Sequence, residues 1–222
     1  MHQSVIDALP GFFKQYEGKV NFMYLDLKGL VTVGLGHLCD PVDQALKLEF
    51  GPKGGGGAVG GGEVTAEFNT VKARTDLKGQ GSAAFDAITH LQLSDNGIAT
   101  MAREDAASIE KYLTTNPAAK PYYANFRSWP ADAQLGILGI AWGVMPIPNF
   151  GWHDFPVACR DENWLTAAKQ CRISSPIAAG RNEAHELMFM NAAAVKSNKD
   201  DYTELVWPLR RGTTVLGEGN LW

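Results

Sequence analysis

The chain has 222 residues, 45% of them hydrophobic and 20% charged, enough for one large domain or two lobes with a sizeable core. A formal net charge of −4 argues against nucleic acid as the main partner, because phosphate binding is driven by clustered Lys and Arg. No apolar run approaches the roughly 20 residues of a membrane helix, and "MHQSVIDALPGFF" lacks the basic region and apolar core of a secretory signal, so a cytoplasmic product without a signal peptide is expected.

In chain order, Leu9, Phe12, Phe13 and Tyr16 recur at helical spacing, with Pro10 acceptable in a first turn and Gly18 as the stop. Residues 22–26 read as a strand, 27–29 as a turn and 30–33 as a second strand rich in β-branched residues, before Gly34 and Gly36 break the pattern ahead of His37. "GPKGGGGAVGGG", residues 51–62, lacks the Gly-Lys-Ser/Thr ending of a phosphate loop and reads as a flexible surface linker. "VTAEFNTVKARTDLKGQG" carries no definite pattern, and a short helix is expected over 82–88. Helical text resumes with Thr100 as a cap and Glu104 and Asp105 in the first turn. It returns over 131–142, 155–160, 163–171 and 178–195, and "WPLRRGTTVLGEGNLW" reads as a tail packing back through Trp207 or Trp222.

The predicted class is α+β, mostly α. Residues 1–95 form a small lobe of helix, β-hairpin and Gly-rich insert (about 46–92), 96–114 a connecting helix, 115–195 an all-helical lobe and 196–222 the tail. Cys39, Cys159 and Cys171 cannot make a disulfide framework; Cys159 and Cys171 could pair from neighbouring helices, with free thiols the preferred reading.

"YEGKVNFMYLDLKGLVTVGLGH", residues 16–37, places Glu17 at a helix end, Asp26 at the end of a strand and Thr32 on the next strand. The helix dipole and the neighbouring aromatics favour a proton-holding acid at Glu17, and Asp26 at a hairpin edge stays ionised. Two carboxyl groups in unequal surroundings are the pairing that cleaves a glycosidic bond, and a threonine hydroxyl can hold the attacking water. Taken singly, each acid reads first as a solvated turn residue.

The arrangement Glu-x8-Asp-x5-Thr followed by Gly-x-Gly-His resembles the phage-type lysozymes, the muramidases that open peptidoglycan. The resemblance continues in "LSDNGIATMAREDAASIEKYL", "KPYYANFRSWPADAQLGILGIAWGV", "FGWHDFPVACRDENWLTAAKQ" and "AGRNEAHELMF", covering roughly 9–45 and 92–195. It implies a lysozyme-like fold and inverting hydrolysis of β-1,4 bonds between N-acetylmuramic acid and N-acetylglucosamine. Glu17 is then the proton donor, with Asp26 and Thr32 positioning water. Gly36 and Leu38 line the cleft, Trp142 forms its floor, Phe155 faces substrate and Arg181 pairs with the catalytic Glu. No cofactor or metal is implied, peptidoglycan is the partner, and a monomer is expected, acting on the periplasmic wall after delivery by other means. An endolysin would be released through a pore; an antibacterial effector would add secretion machinery and an immunity protein. Departures are the acidic net charge, Gly143 in place of a polar residue, and the long insert after His37.

Other readings bear on the same residues. His37 reads as a hairpin-locking histidine ahead of a base or metal ligand, and His185 lacks zinc-protease spacing. Trp142, Trp152 and Trp164 could stack on sugar rings, although helical tryptophans at this density are usually core. A lytic transglycosylase would need only the acid, and a catalytically silent wall-binding module neither carboxylate.

Overall fold

The computed structural model describes residues 1–144, 154–174 and 179–210. It is mostly helical with two small antiparallel sheets, the α+β, mostly α class that the sequence predicts. The chain divides into two compact units, one of residues 10–105 and one of residues 1–9 with those from Ala106 onward. Both divisions fall inside helices, α1 (Gln3–Glu17) and α4 (Asp95–Thr115), so the first nine residues group with the C-terminal helices rather than with the small lobe.

Helix α1 starts well before the expected first turn, and Pro10 lies inside it. Val5, Leu9, Phe12 and Phe13 are all buried at helical spacing. At about 1.5–3 kcal/mol each, these side chains outweigh the roughly 3 kcal/mol cost of a mid-helix proline. Gly18, at φ 74°, supplies the left-handed residue that ends the helix. Helix α4 also begins earlier than Thr100: the Ser94 hydroxyl accepts from the Gly97 amide at 3.0 Å and acts as the cap.

In the unit of residues 10–105, β1 (Val20–Leu25), β2 (Val31–Gly34) and β3 (His37–Leu38) form an antiparallel meander. Tyr24 faces Thr32, Leu25 faces Val31, and Thr32 faces Leu38. Met23 and Leu25 are buried on either side of the half-exposed Tyr24, which fixes the facing of β1, whereas all four residues of β2 are buried. Gly34 sits at φ 71° against Met101, where a Cβ would collide with the methionine.

The insert is the largest departure from the sequence reading. Helix α2 (Val42–Ala45) precedes strand β4 (Phe50–Pro52), which pairs antiparallel with β5 (Leu91–Leu93). Between the strands lie α3 (Gly61–Ala73) and 3₁₀ turns at Thr75–Leu77 and Ser82–Ile88, the latter where a short helix was expected. The glycine run is therefore no free linker. The Val59 amide donates to Phe50 O at 2.9 Å, and the Gly60 amide donates to the Glu63 carboxylate at 3.2 Å as α3 begins. Val64, Phe68 and Val71 of α3 are buried, and between them the buried Glu67 accepts from the His90 amide at 2.6 Å and the Leu91 amide at 3.0 Å.

The other unit contains α6 (Ala131–Val144), α7 (Asp154–Arg160), α8 (Trp164–Gln170) and α9 (Ala179–Asn198), close to the predicted spans, and a short α5 (Lys120–Tyr123) that the sequence reading did not include. Asn163 caps α8 by accepting from the Thr166 amide at 3.2 Å. Helix α6 is buried on nearly every side and packs against α9, with Gly136 against the Phe189 ring. Its buried Asp132 anchors the C-terminal segment. The carboxylate accepts from the Val206 and Trp207 amides at 2.8 and 3.0 Å and from Asn191 Nδ2 at 3.0 Å. The tail thus folds back at Trp207; Trp222 and Trp152 lie outside the described residues. Cys39, Cys159 and Cys171 are free and buried, and burial pushes the Cys39 thiol up to about 12. Among the described residues no helix is long and apolar enough to cross a membrane.

Candidate functional site

Glu17, Asp26, Thr32, Gly36, His37 and Leu38 all belong to the unit of residues 10–105, whereas Trp142, Phe155 and Arg181 belong to the other. Asp26 follows β1 directly, and its carboxylate builds the loop to β2. Oδ1 accepts from the Lys28 and Leu30 amides, both at 2.8 Å, while the Asp26 amide donates to Leu30 O at 2.9 Å. This is an Asx turn, which lets a short polar side chain replace the backbone acceptor a tight loop lacks. One oxygen is committed to the loop; Oδ2 has no hydrogen bond among the described residues.

Thr32 stands opposite Tyr24 on one side and Leu38 on the other, so the three side chains share one face of the meander. Thr32 is 5% exposed and its hydroxyl donates to Leu30 O at 3.3 Å, a long bond that a better acceptor could replace. Leu38 is 46% exposed. The Tyr24 hydroxyl is pushed above its usual range, first by burial and then by the negative charges of Asp26 and Glu17. Glu17 itself is exposed, against the expectation of a desolvated acid, because it is the last residue of α1 before the Gly18 turn.

His37 locks the hairpin as expected, through an Nδ1–Asp105 Oδ2 contact of 2.7 Å that ties β3 to α4. Gly36, at φ 92°, is exposed in the turn between β2 and β3. Phe155 requires correction. Its ring is fully buried, edge-on to Phe189 at 5.5 Å, so it is a core residue and cannot face a substrate. Trp164 is likewise core, stacked on Phe189 and edge-on to Trp129, whereas Trp142 is half-buried near the end of α6. Arg181 lies over Gly143, its Nη1 2.7 Å from where a Cβ on that glycine would stand. Burial, with the Arg181 charge second, pushes His185 down to about 3.

Among the described residues no group of three or more His, Cys, Asp and Glu side chains is arranged to hold a metal ion. No family model matches the chain, and neither does any curated protein or solved structure. Four participants escaped the sequence reading. Tyr24 was legible in principle, two residues before Asp26 on the strand that leads into it. Asp105 and the Lys72–Asp40 pair were not, because each joins residues 32 or more positions apart.

Proposed function

We propose that this chain hydrolyses the β-1,4 bonds between N-acetylmuramic acid and N-acetylglucosamine in peptidoglycan, with inversion at the anomeric carbon. Glu17 protonates the leaving glycosidic oxygen. Asp26, through Oδ2, accepts a proton from the attacking water, and Thr32 Oγ1 holds that water in line. Gly36 and Leu38 contact the sugar from the exposed edge of the meander. The wall is the partner, and the periplasm is the place of action, reached by release through a pore or by a secretion machine. One observation supports the reading: Asp26, at the end of β1, commits only Oδ1 to its loop and leaves Oδ2 open, next to the strand position where Tyr24 pairs with Thr32.

The test is muropeptide analysis of wild type beside Glu17→Gln. Wild type releases fragments with hydrated reducing ends, and the variant loses about 10²-fold or more of that activity while keeping its fold. Anhydro ends would make the protein a transglycosylase. Binding to peptidoglycan with no fragments from either protein would make it a wall-binding module. Equal turnover of the two would remove Glu17 from the chemistry.

A further inference from the structure

The loop that carries Asp26 is gripped from outside by the insert. Lys72, in the last turn of α3, donates from Nζ to Gly29 O at 2.9 Å and forms an ion pair with Asp40. Asp40 Oδ2 also accepts from the Val31 amide at 3.2 Å, the first residue of β2. Gly29 is the left-handed residue of the loop, at φ 81°, and its amide donates to Asp26 O at 3.0 Å. One ammonium thus reaches both the loop tip and, through Asp40, the start of β2. The Lys72 hydrogen bond also holds the Asp40 carboxyl below its usual range, so the pair stays charged at neutral pH. Lys78 lies alongside, its Cδ 3.6 Å from where a Gly29 Cβ would stand.

A lysine stem is flexible, and fixing it costs rotamer entropy. Lys72 is held by one acceptor in the β1–β2 loop and another just past β3, which offsets that cost. Asp26 Oδ1 is set by the amides of Lys28 and Leu30, so any slack in residues 28–30 turns Oδ2 away from its target. We propose that Lys72 is a positioning residue that holds the 26–30 loop in register so that Asp26 Oδ2 stays aimed at the attacking water. The insert is on this account a brace for the proposed site. The catalytic half of the inference rests on Asp26 acting as the base.

Two measurements on the full chain test it: steady-state peptidoglycan hydrolysis, and amide hydrogen exchange at Lys28 and Leu30, which needs no turnover. Lys72→Met lowers kcat about tenfold with KM within about twofold, the scale of a misdirected but present catalytic group. It also speeds exchange at both amides. Lys72→Arg, which keeps a cation with several donors, restores both readouts. Should Lys72→Met fail to fold, Asp40→Asn, which keeps an acceptor but removes the charge, shows the same changes in smaller measure. Unchanged kcat and exchange in Lys72→Met, or a kcat loss that Arg does not restore, overturns the proposal. If wild type releases no muropeptides, the hydrolase reading falls and the exchange rates alone decide whether the brace exists.

Discussion

Replacing Asp26 by Asn and by Ala separates the loop-forming role of this side chain from its proposed catalytic one. Oδ1 holds two amides at 2.8 Å, and Oδ2 is left for chemistry. Hydrogen bonds to a carboxylate contribute about 1.5–3 kcal/mol each when well shielded. Asp26 is half-buried, so water replaces part of that, and Asp26→Ala costs on the order of 2 kcal/mol for the pair. For a chain of this length each kcal/mol lowers Tm by about 2–4 °C, so the Ala variant melts roughly 4–8 °C lower. Asp26→Asn keeps a carbonyl oxygen in the Oδ1 place and should melt within about 2 °C of wild type, yet it puts an amide in place of the proposed base. Both variants should lose about 10²-fold or more in wall hydrolysis. Calorimetry and muropeptide release on the same samples give the two readouts. An Asn variant with wild-type turnover would reduce Asp26 to a loop residue, and an Ala variant with unchanged Tm would refute the account of the loop.

Glu67→Ala should destabilise the unit of residues 10–105 by about 2–4 kcal/mol, because the His90 and Leu91 amides lose their acceptor inside the protein; a change below 1 kcal/mol by urea unfolding would return the insert to the status of a linker. Gly34→Ala should cost about 2–4 kcal/mol, from a left-handed residue that now carries a Cβ and from its clash with Met101. Adding Met101→Ala should fail to restore stability, since the backbone strain remains; full recovery would show that contact alone mattered. His185 is neutral in the folded protein, with its titration pushed down to about 3, while the unfolded chain takes up the proton near 6.5. Stability should therefore fall as pH drops through that window, by at most about 1.4 kcal/mol per pH unit. His185→Leu should show a shallower loss between pH 7 and pH 4.5, and identical pH slopes would remove His185 as the cause.

Local chemistry made much of the fold legible. Gly18 and Gly29 supply positive φ where a helix stops and where the loop between β1 and β2 closes, and Asn163 caps a helix as asparagine does. The helix ends read less well. Pro10 and Thr100 read as starts, but buried side chains before Pro10 and the Ser94 cap carry α1 and α4 further upstream. Phe155 was misplaced for a related reason: on the seven-residue helix α7 a sequence pattern does not say which face meets the core. Helix α3 of the insert was legible in principle, since Val64, Phe68 and Val71 recur at i, i+4 and i+7; what the pattern hid is that Glu67 shares their buried face, held there by backbone amides.

The sequence by itself determined the spacing of Glu17, Asp26 and Thr32 and the hairpin that presents the last two, since turns and strand alternation depend on neighbours only a few residues away. Only the tertiary structure decided that His37 meets Asp105, that Lys72 grips Gly29 and Asp40, and that Phe155 is sealed in the core. Those contacts join distant stretches of chain, and their partners are set by how whole elements pack, which no local pattern encodes.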